Sequence, residues 1–381
     1  MNKSLKPRNY FPLGKAQGYA FCNREMETEW LIGNIEACKH SLLIAPRRFG
    51  KSSLAEKALT ASNLPTINVN FNTCSDENDV ELLIRQGISQ LIGRTFGSVD
   101  KLINSIKTYV THLTPKISIG PEFAHLELFS NQQNNSAIHV EESLSLMEKL
   151  LAEKNAHAVI VFDEFQMVGL IAKGSGVEAA IRNVAQDMKH LAIIFSGSNR
   201  SLLQLMFEDE GRPLYKICRK LRLKRIEPSH YQKHLNHAAQ LAWKKNLDET
   251  VFEQIMLLSE RHPFYVNYLC DVIWTECAAI PTKSDVIRAW NTVIDEEASD
   301  ANAEIATLSM GQKKLLKYIA NYSGDQLMSA NTIKILGMAL SSIAGALTGL
   351  IEKDLIEKEN ETYQIINPVI HCLLKESVAV T

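Results

Sequence analysis

Residues 45–53, Ala-Pro-Arg-Arg-Phe-Gly-Lys-Ser-Ser, carry the side chains with the most specific chemistry in the chain. The spacing of Gly50, Lys51 and Ser52 is typical of a phosphate-binding loop, in which backbone N–H groups and a helix N-terminus surround a triphosphate. We expect Lys51 to reach the β- and γ-phosphates and Ser52 to hold Mg²⁺. Ala45 stands where the pattern has its first glycine, so an ordinary basic turn between a strand and a helix is the alternative.

Two carboxylates, Asp163 and Glu164, directly follow the apolar run at residues 158–162. Parallel strands deliver such residues to the carboxyl-terminal edge of a sheet. We expect Asp163 to hold Mg²⁺ through water and Glu164 to polarise the water that attacks the γ-phosphate. Two acidic residues that simply open a surface loop are the alternative, but the pattern at residues 45–53 favours nucleotide binding.

The elements that must position these side chains alternate between strands and helices up to about residue 228, which predicts an α/β core. Apolar runs predict mainly parallel strands at residues 41–45, 66–71, 158–162, 191–196 and 221–226. The loop leads into a helical pattern at residues 53–60, as a phosphate-binding loop requires. An ambiguous strand pair lies near residues 116–129, before a polar breaker at residues 131–135.

Two further blocks follow this core. Residues 229–303 are helical throughout, with helix start signals at Ser229, Asp248 and Pro263. In the third block two or three helices precede a hairpin at residues 355–365, an order typical of a winged helix-turn-helix. The sequence therefore predicts a parallel-sheet P-loop NTPase core (1–228), a helical lid (229–303) and a winged helix-turn-helix (304–381).

The composition limits the classes of partner. The 381 residues include 41 Lys and Arg against 43 Asp and Glu, so the net charge of −2 creates no global attraction to nucleic acid or membrane. The seven cysteines form no Cys-x-x-Cys pair, which argues against a metal site or a disulfide framework. We see neither an apolar leader nor a segment as long as a membrane span, and we expect a cytoplasmic protein.

Short motifs spread along nearly the whole chain are similar to those of one family. They are residues 21–25 (Phe-Cys-Asn-Arg-Glu), 46–52 (Pro-Arg-Arg-Phe-Gly-Lys-Ser), 161–166 (Val-Phe-Asp-Glu-Phe-Gln), 195–199 (Phe-Ser-Gly-Ser-Asn), 212–215 (Arg-Pro-Leu-Tyr) and 262–265 (His-Pro-Phe-Tyr). With these motifs the chain resembles the archaeal-type ATPase family, a STAND or AAA-like group of P-loop NTPases related to the origin-recognition initiators. Usual glycines are replaced by Cys22 and Asn23, by Ala45, and by Glu260 and Arg261.

The resemblance implies an Mg²⁺-dependent ATPase of slow turnover, with Mg-ATP bound between core and lid and a signal passed to the winged helix or a partner. The nucleotide-binding residues would be Ala45, Pro46, Arg47, Arg48, Phe49, Gly50, Lys51, Ser52 and Ser53, with Arg24, His262 and Pro263. Ser196 or Ser198 would bond the γ-phosphate or the attacking water. Turn hydroxyls for the serines, a surface charge for Arg24 and a helix cap for His262 are the alternatives.

An arginine near the γ-phosphate, often from a neighbouring subunit, can raise hydrolysis by roughly 10³ to 10⁵. Candidates are Arg182, Arg200 and Arg212. We prefer Arg212 because it precedes the Pro-x-Tyr segment, although a solvated loop arginine is the alternative for each. Arg47 and Arg48 are expected either to contact phosphates directly or to pair with carboxylates across an interface.

Residues 212–225 contain no acidic residue and form a basic stripe of Arg212, Lys216, Arg219, Lys220, Arg222, Lys224 and Arg225. Nucleic-acid phosphates would explain the stripe, and the alternative function is therefore an ATP-controlled nucleic-acid-binding initiator or transposition-type regulator. We favour an edge strand guarded by its basic residues against edge-to-edge pairing. The acidic residues expected to pair with these basic residues are Glu208, Asp209, Glu210 and Glu227.

The winged helix also lacks the side chains of a DNA reader. The helix at residues 341–352 presents almost no Arg, Lys, Asn or Gln for base edges, and Glu357, Glu359 and Glu361 make the wing acidic. We therefore expect a packing or partner module, with a protein partner or self-association and no membrane.

Overall fold

The computed structural model describes residues 7–97, 103–119, 124–130, 136–171 and 176–375. Strands alternate with helices up to residue 222, and the remainder is helical apart from one hairpin. The polar breaker predicted at residues 131–135 lies outside the described residues.

The strands are β1 (Ser41–Ile44), β2 (Thr66–Asn70), β3 (Leu113–Ile119), β4 (Ala124–Ser130), β5 (Ala158–Asp163), β6 (Leu191–Gly197), β7 (Arg219–Arg222), β8 (Ile356–Glu359) and β9 (Thr362–Ile365). The helices up to residue 222 are α1 (Pro7–Tyr10), α2 (Glu25–Glu36), α3 (Lys51–Ser62), α4 (Glu77–Phe96), α5 (Ile103–Tyr109), α6 (Ser136–Glu153), α7 (Gln166–Ile171), α8 (Gly176–Ala185) and α9 (Arg200–Glu208). The later helices are α10 (Pro228–Trp243), α11 (Glu249–Ser259), α12 (Pro263–Glu276), α13 (Lys283–Ala306), α14 (Met310–Asn321), α15 (Ala330–Leu336), α16 (Leu340–Glu352) and α17 (Pro368–Leu374).

Five strands form a parallel sheet in the order β2-β5-β6-β1-β7. All residues of β1 and β6 are buried, and so are the first five of β5, as in parallel strands covered on both faces. The predicted parallel sheet is confirmed. The fifth predicted strand is observed as β7, which begins at Arg219 rather than residue 221 and ends at Arg222, because β1, its one neighbour among the described strands, has four residues to pair with.

The chain divides into two compact units. Unit 1 consists of Met1–Asn23, Pro46–Ser53 and Lys224–Thr381, and unit 2 consists of Arg24–Ala45 and Leu54–Leu223. Each unit has its own apolar core. Buried Tyr231, Leu269 and Trp290 belong to the core of unit 1, and Phe162 and Phe195 belong to that of unit 2. The division into core, lid and winged helix stays a prediction.

A separate two-stranded sheet in unit 2 precedes α6. The strands β3 and β4 pair antiparallel from Leu113 opposite Ser130 to Ile119 opposite Ala124. The Lys116 ammonium lies 4.4 Å from the centroid of the Phe129 ring across this pair. The strand pair predicted near residues 116–129 is therefore confirmed as a hairpin.

The segment of unit 1 that begins at Lys224 contains the four helices α10 to α13, followed by α14 to α16, the β8–β9 hairpin and α17. Two of the predicted helix starts agree with the structure. Asp248 caps α11 through the N–H of Thr250, and Pro263 is the first residue of α12. Three helices followed by an antiparallel hairpin give the predicted order of a winged helix. Taken singly, the described helices are all too short or too polar to span a membrane, while α15 and α16, bent by 83°, pass that test together by length and composition.

Candidate active site

The carboxyl ends of three neighbouring parallel strands meet at one edge of the sheet in unit 2. Ile44 at the end of β1 pairs with Gly197 of β6, and Phe162 of β5 pairs with Phe195. Asp163 therefore lies beside Ser196, whose Oγ donates to Asp163 Oδ1 at 2.5 Å. The backbone N–H of Glu164 donates to the same oxygen at 3.1 Å. The structure thus brings together the carboxylate and the serine expected at this edge.

The Glu164 carboxylate is held by donors from α7 and from Ser198, the residue that directly follows β6. Ser198 donates to Glu164 Oε2 through its Oγ at 2.7 Å and its backbone N at 3.3 Å. Gln166 Nε2 donates to the same oxygen at 2.5 Å. Glu164 itself has φ 52°, a left-handed conformation that costs a non-glycine residue free energy, and these bonds help to stabilise it. Sequence reasoning gave Gln166 no role, although the residue lies in the Asp-Glu-Phe-Gln motif.

Gly197 separates the two serines and lies against Gln166. A Cβ atom at position 197 would stand 1.9 Å from Gln166 Oε1 and 3.1 Å from its Cδ. Only a residue without a side chain leaves this space, which gives the Ser-Gly-Ser sequence of residues 196–198 a packing reason.

Of the predicted phosphate-binding loop, residues 45–53, residues 46–53 belong to unit 1 and Ala45 belongs to unit 2. Gly50 has φ 88°, a conformation that favours glycine. Ala45, the first residue of the predicted loop, is not among the described residues with positive φ. An alanine therefore fits where the sequence pattern has its first glycine, and Gly50 is the glycine that the backbone of this segment needs.

The side chains of the loop differ in their surroundings. Lys51, the first residue of α3, is buried, and its Nζ donates to the carbonyl oxygen of Pro46 at 3.1 Å. Ser52 is exposed. Ser53 is buried, and its Oγ accepts a hydrogen bond from the N–H of Ala16 at 3.0 Å. The structure therefore gives Ser53 a structural bond and leaves the hydroxyl of Ser52 facing solvent.

In the middle of the loop, the aromatic side chain of Phe49 and the basic side chain of Arg48 contact residues of the helical part of the same unit. Phe49 lies edge-on to the His262 ring, with centroids 4.7 Å apart. Arg48 Nη1 lies 3.2 Å from Glu297 Oε2, and its guanidinium lies 4.1 Å from the centroid of Phe264. Of the two partners predicted for the loop arginines, the structure shows a carboxylate for Arg48, and that carboxylate comes from α13 of the same chain.

His262 is buried beside the loop. Burial lowers the pKa of His262 well below its ordinary value, and the charges of Arg225 and Arg48 lower it further. Its Nδ1 has no hydrogen-bond partner among the described residues, and its side chain does not cap α12. Glu260 and Arg261 have φ 49° and 58°, so the positions where the family pattern has glycines do adopt the glycine-favouring conformation.

Arg225 joins three segments of unit 1. Its guanidinium lies 5.9 Å from the centroid of Phe49 and donates to the carbonyl oxygen of Glu260 at 2.5 Å. It also donates to the carbonyl oxygens of Ile365 and Ile366 and, at 3.2 Å, to Glu357 Oε1. One buried side chain therefore links the loop, the turn before α12 and the β8–β9 hairpin.

Two of the candidate arginines in unit 2 hold the segment that follows α9. Arg212 Nη2 lies 2.5 Å from Oε1 of fully buried Glu178. Burial raises the pKa of Glu178, and the charge of Arg212 opposes that rise. Arg182 donates to the carbonyl oxygens of Pro213 and Tyr215 at 2.7 and 2.9 Å. A role for Arg212 at the γ-phosphate stays a prediction.

Arg24 lies at the start of α2 in unit 2. It is buried, with φ 73°, and its Nη1 lies 2.9 Å from Glu27 Oε1. It is therefore not a surface charge, and its predicted contact with the nucleotide stays a prediction.

The basic stripe includes an edge strand, as predicted. Among the strands that the structure describes, β7 pairs with β1 alone, and Glu208 lies 3.2 Å from Lys220 Nζ and 2.8 Å from Arg222 Nη2. Arg219 donates to Asn34 Oδ1 at 3.1 Å. These contacts favour a guarded edge over a phosphate-binding surface.

Known proteins share parts of this architecture. Residues 302–376 match the family described as "Probable winged helix domain". The structure is similar to the Walker-type ATPase PABY2304 of Pyrococcus abyssi, with a TM-score of 0.66 and 19% identity over 96% of this chain and 99% of that chain. It is also similar to the ORC2 protein of Aeropyrum pernix in its ADPNP-ADP complexes, with a TM-score of 0.53 and 14% identity over 97% and 96%.

No curated protein sequence matches the chain significantly. At these identities the likeness to solved structures concerns the fold. Together with the parallel sheet and the winged-helix match, it confirms the predicted fold class. The chain has the fold of an archaeal Walker-type ATPase with a C-terminal winged helix.

Proposed function

We propose that the chain binds Mg-ATP and hydrolyses it slowly as a nucleotide-dependent switch. The observation that carries this proposal is the edge where β1, β5 and β6 end, because it presents Asp163, Glu164, Ser196 and Ser198 beside the strand end from which the chain enters the loop. Ligands of open parallel sheets bind at this edge. The fold itself accommodates adenine nucleotides in the Aeropyrum pernix ORC2 protein.

The loop supplies the groups that would bind the phosphates. The positive φ of Gly50 lets the chain turn directly into α3, whose N-terminal N–H groups and dipole favour an anion. The ammonium of Lys51 adds a full charge at that helix start. Its bond to the carbonyl of Pro46 would be exchanged for bonds to the phosphates.

Mg²⁺ would be held by Ser52 and, through water, by Asp163. A hydroxyl and a carboxylate are the hard oxygen donors that Mg²⁺ prefers. Each donor by itself suits the ion: Ser52 is exposed, and the described hydrogen bonds to Asp163 engage only Oδ1. The bound ion would neutralise charge on the β- and γ-phosphates, while Glu164 orients the attacking water.

The winged helix is proposed to contact a protein partner or a second copy of the chain. Helix α16 buries Ile343, Leu347 and Leu350 and exposes Ser341 and Ser342. Its outward face therefore presents small side chains rather than the groups that read base edges.

The seven cysteines are free, which fits a reducing, cytoplasmic setting.

Two substitutions separate binding from turnover. Lys51→Ala is expected to abolish Mg-ATP binding measured by calorimetry, because it removes the one buried cation of the loop. Lys57→Ala, on the exposed side of the same helix, is the matched control and should bind as the wild type does. Glu164→Gln should keep the affinity and lose phosphate release. Undiminished Mg-ATP affinity in Lys51→Ala would show that the loop is not the binding site.

A further inference from the structure

Gln166 stands between the two groups proposed to act on the γ-phosphate. It is the first residue of α7 and is buried, with 5% of its surface exposed. Its Nε2 lies 2.5 Å from Glu164 Oε2 and 3.5 Å from Ser198 Oγ. Because Ser198 Oγ also donates to Glu164 Oε2, the three side chains close a triangle around one carboxylate oxygen.

The orientation of this amide follows from the hydrogen bonds. The reverse orientation would place Oε1, an acceptor, against the Glu164 carboxylate, which also accepts. In the observed orientation Oε1 is buried and has no hydrogen-bond partner among the described residues. An unsatisfied buried acceptor costs free energy. The amide of Gln166 therefore donates to the Glu164 carboxylate at a cost to the stability of the fold.

The strand β6 makes room for this arrangement. Gly197 presents only backbone to the amide, since a Cβ there would stand 1.9 Å from Gln166 Oε1. Ser198 directly follows this strand, so Gly197 and Ser198 contact the amide from two neighbouring positions.

We propose that Gln166 is a positioning residue, which holds the Glu164 carboxylate and the Ser198 hydroxyl in one fixed arrangement for the hydrolysis step. This inference rests on the function proposed above. A carboxylate with one fixed oxygen cannot rotate freely, and Gln166 bonds that oxygen together with the hydroxyl beside it. Catalytic groups must stand within about 0.5 Å of their productive positions, and a displacement of about 1 Å can cost about a hundredfold in rate.

Gln166→Leu keeps the size of the side chain and removes the donor. We expect kcat to fall by about tenfold to a hundredfold while the Mg-ATP affinity stays within about twofold of the wild type, because Gln166 acts on Glu164 rather than on the nucleotide. Phosphate release gives kcat, and calorimetry gives the affinity.

Gln166→Glu supplies the readout that a purely structural role would not move. It keeps the shape of the side chain but replaces the donor by a second acceptor beside Glu164 Oε2. We expect kcat to fall at least as far as in Gln166→Leu, whereas a role confined to packing would leave this shape-matched variant close to the wild type.

Gly197→Ala displaces the amide without changing a polar group, and we expect the same fall in kcat as in Gln166→Leu. Gly33→Ala is its control, because a Cβ at that helical position meets nothing within 4 Å. The control should keep wild-type turnover.

The outcomes separate the two proposals. A wild type that binds no Mg-ATP contradicts the proposed function itself. With binding and turnover established, the positioning role is wrong if Gln166→Leu or Gln166→Glu turns over within about twofold of the wild type. A wild type that binds Mg-ATP without hydrolysing it also overturns the positioning role.

Discussion

His234 shows how its surroundings change the proton affinity of a single side chain. Its ring lies 5.0 Å from that of Tyr10 and edge-on to Phe11 at 6.0 Å, both from the N-terminal segment of unit 1. Burial and, to a smaller extent, the charge of neighbouring His237 lower the pKa of His234 to about 4. His237 Nδ1 is in turn 2.6 Å from Tyr10 Oη. His234 is therefore neutral in the folded protein at neutral pH.

This pKa predicts a loss of stability in mild acid. Between pH 6.5 and about 4 the unfolded chain binds a proton at His234 that the folded chain does not bind, so the free energy of unfolding falls as the pH falls. The full difference is up to about 3 kcal/mol and is complete near pH 4. His262, whose pKa is also lowered, acts in the same direction.

Urea unfolding at pH 7.5 and 5.0, followed by tryptophan fluorescence, measures this effect. Trp243, Trp274 and Trp290 all belong to unit 1, and Trp274 lies 4.8 Å from the Phe11 ring. His234→Gln should reduce the pH dependence, whereas His230→Gln, at an exposed position of the same helix, should not. Equal pH dependence in wild type and His234→Gln would contradict the assignment.

At the scale of the element, α13 supplies the carboxylates that face the loop and α12. Glu297 pairs with Arg48 and accepts from Tyr265 Oη at 3.3 Å. The preceding residue, Glu296, accepts from Tyr268 Oη instead. The helix thus carries two adjacent carboxylates, of which one restrains a loop arginine.

Glu297→Gln is expected to strengthen Mg-ATP binding about threefold. The substitution keeps an acceptor for Tyr265 but releases Arg48, and an exposed ion pair of this kind is worth about 0.2–1 kcal/mol. The freed guanidinium would then be available to the phosphates. Calorimetry at constant ionic strength measures the change.

Glu296→Gln is the matched control, because it removes the same charge one residue away and leaves Arg48 paired. An equal gain in affinity from both variants would mean that net charge, rather than the contact with Arg48, controls binding.

The elements were predictable where their signal is local. The buried runs of β1, β5 and β6 are short apolar segments, and the starts of α11 and α12 carry Asp248 and Pro263. The positions of Lys51 at a helix start and Asp163 at a strand end were predictable because a motif names them, and their roles at a nucleotide stay predictions. The partner of Arg48 was not, because Glu297 is 249 residues away and neither residue type nor spacing links the two. The short extent of β7 likewise depends on the length of its neighbour β1.

At the scale of the whole molecule, Arg225 links the loop, the turn before α12 and the winged helix within unit 1. Its side chain is 3% exposed, and its donors reach a turn and a hairpin 35 and 140 residues further along the chain. A nucleotide-dependent displacement of Phe49 would therefore act through Arg225 on the winged helix. This is the physical basis for a signal in the proposed switch.

Arg225→Met is expected to destabilise unit 1 by about 3 kcal/mol, because it leaves buried carbonyl groups and Glu357 without their donor. Arg288→Met, whose side chain is 63% exposed and pairs with Asp285, should cost less than about 1 kcal/mol. Urea unfolding gives both values, and hydrogen exchange at residues 356–365 shows whether the hairpin is released. Similar values for the two variants would contradict a linking role for Arg225.

The interleaving of the two units along the chain fixes an order of events during synthesis. Unit 2 ends at Leu223, whereas the loop, residues 46–53, belongs to a unit whose remaining segments begin at Lys224. At roughly 5–20 residues per second, Glu297 leaves the ribosome roughly 12 to 50 s after Arg48. The sheet can therefore form on a nascent chain whose loop still lacks Arg225, His262 and Glu297. The loop is synthesised early and gains these partners late.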